Sequence, residues 1–251
     1  MDAHPNKAID MPGYTYFAML HALLGTVALI TFWSAAWMKK GSPRHRAIGK
    51  VFLLAMCGVI VSGIPLVIEH AFFRQSLVGG VFLAYLLPLT AQACWLAWRA
   101  VTDKRDWRVM TSRIGWHLVL WLPALFAIPV LVVGVMKMQW LLMGFSMIAF
   151  INGVQMLRFA RRGPRQSNWH IVQHYQAMLG AGVATHIAFL GIGMQPVWRW
   201  LKTATDVPPT LIELFPWFAP LAVAMLAAVW LGRKYGKPRA IRAAPAAMQG
   251  G

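Results

Sequence analysis

Histidine is the side chain that most readily changes charge near neutral pH, and its imidazole is the commonest nitrogen ligand for iron and zinc. The chain carries eight: His4, His21, His45, His70, His117, His170, His174 and His186. All but His4 lie in or beside long apolar runs. An ionisable group inside such a run is costly to keep and turns toward the protein interior, which marks it as a functional candidate.

Counting along the apolar runs sorts these histidines by depth. His21 and His186 both lie roughly 10 to 12 Å below one surface at 1.5 Å per residue, and His117 and His174 lie about three residues inside the other. A haem iron takes one axial imidazole from each of two neighbouring helices. The depths therefore predict haem b held by His21 with His186 as an outer pair and by His117 with His174 as an inner pair. On a straight helix His174 and His186 point about 120° apart. That favours separate sites over a matched stack.

His170 and His174 also stand four residues apart, about 40° from each other on one helix face. With His45 or His117 as a third ligand, that spacing suits zinc or iron. No Glu follows His170, so the helical zinc-protease motif is absent. The two alternatives to haem-linked electron transfer are thus a histidine-coordinated zinc or iron hydrolase or oxidase, and a proton-coupled transporter or small-molecule binder.

Other polar residues at depth read more simply. Gln92, Asn152, Gln155, Gln173 and Gln176 suit hydrogen bonding between helices before they suit a quinone head group. Cys57 and Cys94 make neither a disulfide framework nor a zinc knuckle and read as packing. The fifteen methionines are scattered and read the same way. The last apolar run contains no lysine before its basic end, which argues against a retinal Schiff base.

The elements that must position these groups are long apolar helices. Of 251 residues, 59% are hydrophobic and 12% charged, about half the charge of a soluble domain, and the mean hydropathy is +0.55. Seven runs, at residues 14–38, 51–70, 77–98, 114–136, 140–157, 171–194 and 214–231, are long enough to cross about 30 Å of hydrocarbon. The fold class expected is an all-α bundle of seven transmembrane helices over residues 1–236, followed by a disordered tail at 237–251. Residues 195–213 form the longest loop, and Trp198 and Trp200 within it suit a short interfacial helix.

Nineteen of the 24 Lys and Arg follow the first, third, fifth and seventh runs. The positive-inside rule then predicts the N-terminus outside and the C-terminus in the cytoplasm. The same rule accounts for the net charge of +17 with no nucleic-acid partner. Only Lys137, Met138 and Gln139 separate runs four and five. Joining them would place Arg158 to Arg165 on the outer side, so the charge pattern requires two spans.

The segment His21-Ala-Leu-Leu-Gly25, followed by Lys40-Gly-Ser-Pro-Arg-His45-Arg-Ala-Ile-Gly-Lys50-Val-Phe52, resembles the opening of the DUF2306-type bacterial membrane proteins. In those proteins a histidine and a glycine in the first span precede a short loop of Lys-Gly, His-Arg and Gly-Lys/Arg. His174 and Met178 resemble a histidine and methionine in the family's later spans. The resemblance covers about residues 21 to 60 and implies a multi-pass protein of the bacterial cytoplasmic membrane. It has no activity to lend, and similarity to haem-carrying membrane cytochromes is analogy at the level of fold. On these readings the partners are the lipid bilayer and a quinone or other redox partner, and any enzyme activity is that of a membrane oxidoreductase.

Overall fold

The computed structural model describes residues 12–236. Their elements are α1 (Tyr14–Trp37), α2 (Pro43–Ile68), a π-helical turn (Glu69–Phe73), α3 (Leu77–Thr102), α4 (Trp107–Thr111), α5 (Ile114–Met136), α6 (Trp140–Arg162), α7 (Trp169–Ala188), a second π-helical turn (Phe189–Gly193), α8 (Gln195–Ala204) and α9 (Pro209–Tyr235). Seven of these helices are long and apolar enough to cross a membrane. The chain is an integral membrane protein. His4 and the tail expected to be disordered lie outside the described residues.

Several helices run past the apolar segments that define them. α2 starts eight residues before its apolar run because Gly41 turns the chain at φ +79°, Ser42 Oγ accepts from the His45 amide at 3.2 Å, and Pro43 occupies the first turn. Proline is favoured there because the first helical N–H groups have no intrahelical partner. α6 continues to Arg162, where cations face the negative end of the helix dipole. Between α5 and α6 the chain does break. Met138 has φ +51°, and the Gln139 amide folds back onto the Gly134 carbonyl at 2.8 Å.

The turns α1–α2, α3–α5 and α6–α7, the helix ends that adjoin them and the end of α9 carry most of the Lys and Arg; this is the basic end of the bundle. The opposite end carries α8, where Trp198 Nε1 donates to the Leu190 carbonyl and Lys202 pairs with Glu213 at 2.7 Å. The expected short interfacial helix is this element.

Packing is organised around α3, which lies against α2, α5 and α7. α1 pairs with α2 and touches α7, α6 pairs with α5, and α9 lies on α7. α1 meets α7 at Gly182, where an added Cβ would stand 2.4 Å from the Phe32 ring. Only glycine lets α7 come that near to α1. Cys94 is buried as its packing role requires, whereas Cys57 is exposed on the outer face of α2.

One polar network stitches three helices together. Pro123 has no N–H to offer the Val119 carbonyl one turn earlier in α5, and Gln92 Nε2 on α3 donates to that carbonyl instead at 2.7 Å. Asn152 Nδ2 on α6 then donates to Gln92 Oε1 at 3.0 Å. Gln92 is 1% exposed, so the network is shielded from any competing water. These two amides hold helices together, as the sequence suggests. Replacing Gln92 and Asn152 with Leu singly and together should give a coupling of about 0.5–2 kcal/mol in a double-mutant cycle, read from unfolding in detergent. Strict additivity would remove the network as a source of stability.

Candidate histidine site at the basic end

The last carbonyls of a helix have no intrahelical donor, and at the end of α1 that need organises a site. Lys40 Nζ donates to the Ala35 and Ala36 carbonyls at 3.0 and 2.6 Å. His45 Nδ1, one turn into α2, donates to the Ala35 carbonyl at 3.1 Å. The turn at Gly41 is what brings His45 back against the helix that precedes it.

α7 enters the same region. Asn168 Nδ2 donates to the Tyr235 carbonyl at 2.6 Å, tying the start of α7 to the end of α9. Two turns on, His174 Nδ1 donates to the Ala97 carbonyl of α3 at 2.8 Å. A carbonyl only accepts, so the neutral rings of His45 and His174 both carry their proton on Nδ1 and keep a lone pair on Nε2.

Electrostatic reach joins these groups into one cluster. His174 feels His45, Lys40 and His170; His170 feels Lys104; Lys40 feels Lys234. The Nδ1 atom of His170 is buried and has no hydrogen-bond partner among the described residues. Carboxylates at this end are engaged elsewhere. Asp103 is held by Arg99 Nε at 2.7 Å and by Arg113 Nε at 3.2 Å, and Asp106 accepts from the Arg108 amide. Among the described residues no ion pair involves Lys40, Lys104 or Lys234. The cluster is electropositive, and burial first, then Lys234, lowers the Lys40 pKa.

The histidine pairs expected to ligate haem are placed differently. His186 gives Nδ1–H to the Gly182 carbonyl at 2.7 Å and accepts from Trp33 Nε1 on Nε2 at 2.8 Å. Both of its nitrogens are engaged. His21 Nδ1 meets Ser62 Oγ at 3.1 Å, while the Ser62 hydroxyl donates to the Gly58 carbonyl. Along α1, His21 and Trp33 are twelve residues apart, about 18 Å, so His21 and His186 meet that helix at different levels. His117 is exposed on α5. It lines an open groove with α4 and α6, whereas His174 is bonded to α3 and is acted on by His45, Lys40 and His170; the structure does not pair His117 with His174.

Of the remaining candidates, His70 Nδ1 donates to its own helix at the Leu66 carbonyl, and Gln155 and Gln176 are exposed. The trio His45, His170 and His174 does share one end of the bundle. Among the described residues, however, no group of three or more His, Cys, Asp or Glu side chains is arranged to hold a metal ion. Sequence reasoning missed Lys40 and Trp33 as partners. A lysine two residues beyond an apolar helix is a recognisable C-terminal capping signal, whereas nothing in the sequence marks Trp33 as the donor to His186.

Comparison of the chain with family models, with curated proteins and with solved structures finds no match in any of the three.

Because the folded chain disfavours the charged form of Lys40, the unfolded chain binds more protons between the lowered folded pKa and the ordinary 10.5. Stability from this group therefore rises with pH across that window. Thermal unfolding in detergent from pH 8 to 10.5 should show the rise in the parent protein and a flatter profile in Lys40→Met. Identical slopes would mean that Lys40 carries no such penalty.

Proposed function

We propose that this chain is a multi-pass protein of the bacterial cytoplasmic membrane that binds haem b at its basic end and takes part in electron transfer, with His45 and His174 as the residues that would hold its iron. One observation carries the reading. Both histidines give Nδ1–H to a backbone carbonyl and, among the described residues, leave Nε2 without a partner, which is how metal-ligating histidines are oriented. They also come from two different helices, α2 and α7, as bis-histidine ligation in a bundle requires.

The surrounding charge selects among cofactors. A bare zinc or iron ion would meet Lys40, Lys104 and Lys234 with no carboxylate to offset them. Haem brings two propionates, and those same lysines then become partners for charge-assisted hydrogen bonds. Bound haem supplies a one-electron iron couple tuned by its axial ligands. The chain's own part is to hold Nε2 of His45 and His174 at fixed angles and to neutralise anionic groups with Lys40 and Lys234. Further along the same helices, Phe52, Met56, Cys94 and Ala181 form a buried apolar core. His186 is left out of this role because both of its nitrogens are engaged, and the donor or acceptor of electrons is a quinone or another redox partner. Membership of the DUF2306-type proteins is part of the same proposal and rests on the motif that contains His21 and His45.

Oxidised and dithionite-reduced visible spectra of the protein, purified in mild detergent after expression with adequate haem, test the reading. Sharp b-type bands should vanish in His45→Ala and in His174→Ala and persist in His186→Ala. A folded, colourless protein that takes up no haemin overturns it, and bands lost only in His21→Ala and His186→Ala move the site to the other end. The orientation follows from the positive-inside rule. A green fluorescent reporter fused after Gly251 should fluoresce, and a periplasm-dependent phosphatase at the same place should stay inactive; the reverse pattern inverts the topology.

A further inference from the structure

A second feature lies on the other flank of α3, away from the histidine cluster. At the basic end, α4, α5 and α6 enclose an open groove of about 560 Å³ walled by Trp116, Leu120, Trp121 and Leu157, with Arg108 and His117 at its polar side. That volume falls within the ~300–1,000 Å³ of small-molecule sites. We infer that this groove binds an anionic phospholipid, with the headgroup phosphate on Arg108 and His117 and the upper acyl chain along the tryptophan and leucine wall.

The polar side is a free cation beside a free imidazole. The Arg108 guanidinium is steadied over the Trp107 ring at 5.0 Å. Neither it nor the His117 ring makes an ion pair or side-chain hydrogen bond among the described residues. The neighbouring hydroxyls are committed, since Thr111 and Ser112 donate to the Arg108 and Val109 carbonyls, each at 3.2 Å. Donors for an incoming ligand are therefore Arg108 and His117, and a guanidinium matches a phosphate with paired donors.

Position within the bundle selects the occupant. The groove lies where the basic α3–α5 turn gives way to the apolar length of α5, the height at which tryptophan favours the membrane interface. Trp121 is 58% exposed and so faces out of the bundle. A free anion would satisfy Arg108 but leave the apolar wall uncovered, and a zwitterionic lipid would bring its own cation against Arg108. A lipid with a net negative headgroup satisfies both halves.

Native mass spectrometry of the full chain, delipidated in detergent and titrated with phosphatidylglycerol or phosphatidylcholine of the same acyl chains, tests this. One phosphatidylglycerol per chain should be retained in preference to phosphatidylcholine. That preference should fall about five- to tenfold in Arg108→Gln and be lost in Ala160→Phe, which fills the apolar wall, with melting temperatures confirming that both variants fold. Equal retention of the two lipids, undiminished retention in Arg108→Gln, displacement by inorganic phosphate alone, or preferential capture of an added neutral quinone would each overturn the inference. None of these readouts depends on haem.

Discussion

A carbonyl left open inside or at the edge of a hydrocarbon layer has no water to turn to, and much of this molecule is arranged around that fact. In α5, Pro123 leaves the Val119 carbonyl without its helical donor, and Gln92 crosses from α3 to supply one. At the end of α1 the Ala35 and Ala36 carbonyls are met by Lys40 and His45. The orientation of His45, and with it the free nitrogen on which any ligand chemistry depends, is a consequence of capping that helix.

The same requirement divides the histidines into two kinds. His45, His70 and His174 each spend one nitrogen on a carbonyl and keep the other among the described residues, and of these His45 and His174 lie together at the basic end. His186 spends both, one within its own helix and one on Trp33, and serves to fasten α1 to α7. Depth alone would have ranked these residues together. Their remaining hydrogen-bonding capacity separates them.

Charge is distributed with equal consequence. The basic turns gather at one end of the bundle, yet they are not chemically alike. Arg99 and Arg113 enclose Asp103 and close the α3–α5 corner, while Lys40, Lys104 and Lys234 act on the histidine cluster and make no ion pair among the described residues. Arg108 lines the open groove between α4, α5 and α6. Three environments at one surface thus turn a single topological signal into a structural corner, an electropositive histidine cluster and a groove at the membrane interface.

Seven spans, the break at residues 137 to 139, a short helix in the 195–213 loop and the use of Gln92 and Asn152 as interhelical contacts were all legible in the sequence. Each depends on hydropathy along a single helix, on the sidedness of basic loops, or on the general cost of an unpaired amide in lipid. The histidine partnerships were not legible, because a count of residues gives depth but not which helix lies beside which, nor how each is rotated. His21 and His186 count to equal depth, yet the packing sets His186 at the level of Trp33, beside the contact of Gly182 with the Phe32 ring, and Trp33 takes the nitrogen that iron would need. Spacing offered His45 only as one of two possible third ligands beside His170 and His174, and the fold back from Gly41 is what sets it, and not His117, in their cluster. Sequence determined what each helix is; the packing of side chains across α1, α2, α3 and α7 decided which imidazole nitrogens were left free.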